Sequence, residues 1–456
     1  MVVRGGASIV VVLLAYGCSS PAKVPGGSAD GGGDGESAEA AACSGSDVMC
    51  GGVCQHESVS ACGTSCTTCA QPATSHGQSS CLDGACQFAC ALGYARCGTQ
   101  SCCGNMTRGD IAEIAVGGES SCAVTTAGLV WCWGDDSYGA LGDGNTAGTS
   151  VMPVQVVNLP PTAQHVALGG HHTCAMLAGG RVACWGDDQQ GQLGDGQFTP
   201  RGTPVEPVGH PIVTRIATGE SHTCAIAQGG AVLCWGSNSS GQLGNTTAPS
   251  ATASPVTVTG LSGAIDLAAG AAFTCALVGG GKVYCWGDGA NGQLGGPASS
   301  GTPVLVALPG AAKALAVGAK HACAITAAGD VVCWGIDDMK ELGSGNSSSQ
   351  ATPVQVPMVS GVTALAAGGS ETCALDGGGA VRCWGSDPVG DTGAGPAGPA
   401  VVPALASGVV AIGAVSGHAC AVTSGGAPKC WGTNASGDLG DGTMVSSWAP
   451  VDVTGI

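Results

Sequence analysis

The chain is poor in charge, in aromatic rings and in long apolar runs. Only 10% of its 456 residues are charged and 4% aromatic, with 13 Lys and Arg against 31 Asp and Glu. Nucleic-acid binding needs a basic stripe. Residues 110–456 carry only nine Lys and Arg, scattered along the chain, and the formal net charge is −18, so nucleic acid is excluded as a partner. The N-terminal apolar run ASIVVVLLAY suits a signal-peptide core and is too short to span a bilayer. No serine stands in a Gly-x-Ser-x-Gly elbow, which removes the commonest hydrolase signature. No metal site, cofactor site or catalytic constellation is read from the sequence.

Glycine and cysteine are abundant instead: 82 Gly and 27 Cys. The organising stretch is CAIAQGGAVLCWGSNSSGQLG, Cys224 to Gly244, which recurs seven times. The first cysteines are Cys122, Cys174, Cys224, Cys275, Cys323, Cys373 and Cys420; each is followed ten residues on by Cys132, Cys184, Cys234, Cys285, Cys333, Cys383 or Cys430, opening a Cys-Trp-Gly triplet. The units start 47 to 52 residues apart, a period of propeller blades and solenoids.

Let the first cysteine be position i. Position i+6 is always glycine with apolar residues on both sides, which predicts a three-residue hairpin loop closed by a left-handed glycine. Positions i and i+10 then face each other across two strands as a non-hydrogen-bonded pair, with Cα atoms about 4.5 Å apart, within disulfide range. Seven intra-hairpin disulfides are expected. Alternation puts the cysteines on one face with i+2 and i+8, and the Trp at i+11 on the other face with an invariant alanine at i+1. Both faces are apolar and both should be covered, as in blades packed around an axis. A small-residue strand precedes each hairpin. A Gly-rich turn follows it in most units, and a Pro-Val strand closes six of the seven. The expected fold is all-β: a seven-bladed propeller of four-stranded antiparallel blades over 110–456. The C-terminal strand, Pro450 to Val453, should close the ring beside Ile111–Val116, and Pro428 should weaken blade seven by removing an N–H donor.

Upstream, residues 1–17 read as a signal peptide. Ala15-Tyr16-Gly17-Cys18 resembles a bacterial lipobox, with departures at Ala15 and Tyr16, and implies lipidation of Cys18. Residues 18–42 read as a flexible, lipid-anchored tether. Residues 43–109 form a cysteine-rich module. Its twelve cysteines and few apolar residues predict a small disulfide knot rather than a zinc site. Cysteine on this scale points to an oxidising compartment. The protein is expected at the outer membrane or cell surface as a lipoprotein, alternatively secreted.

The sequence His-Thr-Cys-Ala, Cys-Trp-Gly, Gly-Gln-Leu-Gly, Thr-Pro-Val is similar to the repeat of the regulator of chromosome condensation family, over about 110–456. The resemblance implies a seven-bladed propeller. Units five and six depart at Lys340-Glu341-Leu342-Gly343 and Val389-Gly390-Asp391-Thr392-Gly393. The paired cysteines fit bacterial extracellular relatives. The family's guanine nucleotide exchange and chromatin binding are not carried over to an exported, acidic chain. The propeller-type β-lactamase inhibitor protein, similar in architecture, makes protein binding the natural expectation.

Two residue sets need weighing. His172, His222, His321 and His418 stand two residues before their cysteines, where other units have Ser120, Phe273 and Glu371; the Phe argues for a structural role over a metal ring. Asp135, Asp136 and Asp143 recur as Asp187, Asp188 and Asp195, and read as turn caps rather than calcium ligands. The expected function is a non-enzymatic, monomeric, protein-binding scaffold whose aromatic anchors are Tyr138 and Phe198. A surface hydrolase with a loop-borne site is the alternative, and exchange-factor activity is a remote third.

Overall fold

The computed structural model describes residues 111–386, 398–415 and 417–455, apart from Pro297, and six short strands between Asp47 and Gly104. The signal peptide, Cys18, the tether, the side chains of the cysteine-rich module and the departing turn at Val389–Gly393 lie outside the described residues.

Seven four-stranded antiparallel sheets follow one another along the chain, each a simple meander. Blade one comprises Ile111–Gly117, Ser120–Thr125, Val130–Asp135 and Thr149–Gln155. Blade seven comprises Val409–Val415, His418–Thr423, Pro428–Gly432 and Ser447–Asp452. In every blade the first strand is innermost and the last outermost. The axis is lined by glycine and alanine from the first strands and the turns after them, such as Gly117, Gly169, Ala269 and Ala367.

The hairpin register is the one the spacing predicts. Cys224 pairs with Cys234, Ala225 with Leu233 and Ile226 with Val232, and the same pattern holds in the other blades. All seven disulfides are formed, with Cα–Cα distances of 4.0 to 4.1 Å. The i+6 glycines are left-handed, for example Gly128 at φ 78°, as the short loop requires.

Blades pack face to face, and the two hairpin faces are complementary. The disulfide face of blade one (Cys122, Cys132, Val124, Val130) meets the Trp face of blade two (Ala175, Ala183, Trp185) in one core cluster. The disulfide face of blade three meets Ala276 and Trp286 of blade four in the same way. Small Ala beside large Trp leaves room for the indole in the core shared with the neighbouring disulfide. All seven of these Trp rings are under 2% exposed. Each buried ring contributes about 4–6 kcal/mol of gross transfer free energy, an upper figure before ordering entropy is subtracted.

The ring closes through the same contact rather than through a shared strand. The C-terminal strand pairs within its own blade. Cys420, Cys430, Leu439 and Val453 of blade seven pack on Ile111, Ile114, Ala123 and Trp133 of blade one. The strands of blade seven beside Ile111–Gly117 are Val409–Val415 and His418–Thr423, not the C-terminal strand, which is the outermost, and Val453 joins only the shared core cluster. At Pro428, the Val453 N–H reaches the proline carbonyl at 3.3 Å, against 2.9 Å for Val258 to Val232 and Val356 to Val331.

Candidate functional site

In a meander, the turn between strands one and two and the connection between strands three and four emerge at the same end. The hairpin loops and inter-blade connections emerge at the other. The repeated residues at the first end hold the ring together. In Gly-Gln-Leu-Gly, the leucine is buried and the carbonyl before it accepts the indole N–H of the next blade's Trp. Trp235 Nε1 donates to Gln192 O at 2.8 Å, Trp185 to Ala140 O at 2.9 Å and Trp133 to Asp438 O at 2.8 Å. The last glycine carries both a positive φ and the indole against its Cα: at Gly194 (φ +75°) a Cβ would lie 2.8 Å from Trp235 Nε1.

The histidines are inter-blade ties. His172 Nε2 bonds Thr223 Oγ1 at 2.9 Å, His222 bonds Thr274 at 2.9 Å, His321 bonds Thr372 at 2.8 Å and His418 bonds Ser121 at 2.9 Å. Thr223 and Thr274 themselves donate to the Gln192 and Gln242 carbonyls, so they accept from an Nε2–H tautomer. Burial pushes the four imidazoles down, to about 3 for His172 and about 4 for the others, and they are neutral at pH 7. Blade four has Phe273 at this position and blade five has Ala322 opposite, joined in one apolar cluster. Ring and partner change together, which marks the position as a packing contact.

The aspartates divide into caps and surface groups. Asp136 Oδ1 accepts the Leu141 N–H at 3.0 Å, and Asp188 Oδ1 accepts the Leu193 N–H at 2.9 Å. Asn238 and Asn434 do the same for Leu243 and Leu439, so the change at Ser237-Asn238 preserves the cap. An amide suffices where the carboxylate is costly: burial pushes Asp136 up to about 6 and Asp188 to about 7. Asp143 and Asp195 cap the backbone N–H two residues on.

Exposed residues free of packing duty are found at both ends of the ring, and at this end they lie in the connections. Tyr138, 39% exposed and at φ +64°, sets its ring 5.7 Å from that of His171 on blade two. His171 Nδ1 lies 3.5 Å from Asp135 Oδ2. Phe198, 53% exposed, stands on the next connection, and no contact among the described residues joins it to Tyr138. An axial cavity of about 570 Å³, lined by neither of them, opens at the centre of the ring, edged by Glu119, His171, Glu220 and Ser370. The end is strongly acidic: Lys320 and Lys340 are its only lysines among the described residues, and Arg201 is paired with Asp195 at 3.1 Å. The opposite end is mixed, with Arg181–Glu206 and Lys429–Asp452 pairs.

Sequence reading missed a belt on the first strands. Glu113 Oε1 lies 2.6 Å from His165 Nδ1, and Arg215 Nε 3.9 Å from Asp266 Oδ1. Ala314, Ala364 and Ala411 hold the equivalent register in the other blades. The alignment of strand one across units would have shown it. Glu371, Cys373 and Cys383 converge closely enough for a metal ion, but the two sulfurs form a disulfide and supply no thiolate.

A family model for the RCC1-like domain matches residues 97–363. Over 91 residues the chain is 37% identical to the Homo sapiens E3 ubiquitin-protein ligase HERC2, covering 20% of this chain and 2% of that protein. Over 97 residues it is 35% identical to the mitochondrial RCC1 domain-containing protein RUG3 of Arabidopsis thaliana, covering 21% and 22%. The chain therefore spans a small part of these relatives' length. Among solved structures, human WBSCR16 superposes with a TM-score of 0.63 at 25% identity, over 72% of this chain and 94% of that one. Prp20p of Saccharomyces cerevisiae, studied for its binding to Gsp1p and histones, superposes with a TM-score of 0.65 at 22% identity, over 73% and 87%.

Proposed function

The chain belongs to the RCC1-like domain family, and on that footing we propose that it is an exported, cell-surface protein-binding scaffold that catalyses nothing. The observation that carries this reading is the division of labour at one end of the ring. Recurring residues there bond or pack between blades, whereas the exposed, variable ones, Tyr138 and Phe198 among them, sit on connections that the packed ring holds rigid. A preorganised surface lowers the ordering cost of docking. Prp20p's protein partners support the general mode of action and not those particular partners. Export rests on the N-terminal apolar run, the Gly17-Cys18 pair and the cysteine content, with Cys18 as the lipid anchor. The full chain, immobilised and exposed to surface proteins of its own cells, should retain a partner, and Tyr138→Ala should weaken retention without moving the melting temperature. Turnover of a substrate in hydrolase screens, abolished by substituting a connection aspartate, would replace this reading with the surface-hydrolase alternative.

A further inference from the structure

The repeats act as controls on one another. In blades two and four, the glutamine of the Gly-Gln-Leu-Gly turn folds back and its amide donates to a carboxylate: Gln192 Nε2 to Asp187 Oδ2 at 2.7 Å, and Gln293 Nε2 to Asp288 Oδ2 at 3.0 Å. Blades one and seven, neighbours across the closure, both lack that amide, having Ala140 and Asp438 in its place. The result is a seam with acceptors and no cation. Asp438 is 3% exposed, and its Oδ1 has no partner among the described residues. Beside it stand Glu119, whose Oε2 accepts the Ser436 hydroxyl at 2.8 Å, and Asp135. Burial, with Glu119 and Asp135 adding to it, pushes the Asp438 carboxyl up to about 7. No Lys or Arg among the described residues pairs with any of the three. Asp135 accepts the Ser137 N–H at 3.2 Å and the Ser137 hydroxyl at 2.9 Å, and its one basic neighbour among the described residues is His171, with the Tyr138 ring against that imidazole.

From this we infer that the seam between blades seven and one, at Glu119, Asp135 and Asp438, receives an arginine or lysine side chain from a basic segment of a protein partner. The missing element is a hydrogen-bond donor carrying positive charge, which is what a guanidinium or ammonium supplies. Tyr138 offers an exposed aromatic face for the same cation. A metal ion fits less well: among the described residues no three acidic, His or Cys ligand atoms converge here within bonding reach of one ion. The acidic character of the whole end steers a basic segment toward it. The inference rests on the protein-binding reading and narrows its partner.

The test uses the full chain and a labelled peptide alternating arginine with glycine, with a glutamate–glycine peptide as comparison. Glu119→Gln keeps an acceptor oxygen for the Ser436 hydroxyl, and Asp135→Asn keeps one for the Ser137 N–H while its amide faces a Ser137 hydroxyl that can turn to accept, so the fold should hold, as the melting temperature will show. That pair should weaken the arginine peptide at least about tenfold, the loss expected for one charge-assisted hydrogen bond. Asp143→Asn with Asp288→Asn removes as much charge from the same end and should change affinity less than about twofold, since exposed charges at a distance are screened. Equal weakening by both pairs would overturn the inference in favour of diffuse acidity. Calcium chloride alone raising the melting temperature of the native chain, but not of the Glu119→Gln, Asp135→Asn pair, would assign the seam to a metal and overturn it too. Failure of the peptide to bind, alongside capture of a protein that depends on Phe198, would refute this inference and leave the scaffold reading intact.

Discussion

The tie between His222 and Thr274 makes the most exacting prediction, because the chain contains its own replacement for it. Thr274→Ala alone strands a buried imidazole N–H, which costs about 1–3 kcal/mol. Adding His222→Phe recreates the Phe273 and Ala322 contact of blades four and five, and should recover most of that loss. Acid should separate the variants further. The imidazole of His222 binds its proton at about 4 in the fold and 6.5 unfolded, so protons favour the unfolded chain. Its contribution is intact above pH 6.5 and falls as pH drops from 6.5 toward 4. Between pH 7 and pH 5 the native chain should lose about 2 kcal/mol relative to the double variant, near the limit of 1.36 kcal/mol per pH unit per group. The comparison must be made between variants, because Asp188 and Asp438, raised to about 7, act oppositely: the fold binds their protons more tightly, so their cost falls as pH falls from 7 toward 3.8. Urea unfolding of the native chain and both variants at the two pH values reads the effect. Identical pH dependence in native and double-variant chains would show that His222 is not held as a buried neutral tie.

Other expectations follow from single contacts. Gly209→Ala, at φ +80° with open space around it, should cost about 1 kcal/mol, whereas Gly194→Ala, at φ +75° against Trp235, should cost at least about twice that; thermal melts of the two compare them directly. Replacing Cys224 and Cys234 by serine opens an 11-residue loop and should cost up to about 3 kcal/mol, and peptide mapping without reduction should find those two cysteines joined. Pro428→Val should slow amide exchange across Ser447–Asp452 by restoring a donor; unchanged exchange would discard Pro428 as the cause of the long Val453 bond. Cys18→Ser should move the protein from membrane to soluble fractions, and unaltered fractionation would exclude the lipid anchor.

What the sequence could reveal depended on repetition. A ten-residue cysteine spacing around an invariant glycine dictates one hairpin register, and seven copies of it dictate the blade, because each copy meets the same neighbour. Trp beside Ala was legible for the same reason. The belt from Glu113 to Asp266 and the seam at Asp438 were not, since they consist of departures from the repeat. The belt joins consecutive blades and needs only the first strands set side by side, whereas the seam's meaning comes from which blades become adjacent when blade seven closes on blade one, a pairing of residues some 300 positions apart, such as Ser121 and His418. The orphaned Asp438 oxygen is visible only once the missing glutamine amide is compared with its counterparts at Gln192 and Gln293.

The claim that one end of this propeller is its binding face is tested most directly by hydrogen exchange on the full chain, alone and with its captured partner. Slowed exchange is expected in the connections around Ser137–Gly139 and 187–200 and in the turn at 118–120, with the hairpin loops at 126–128 and 178–180 unchanged. Protection confined to those hairpin loops, or spread evenly over both ends, would contradict it.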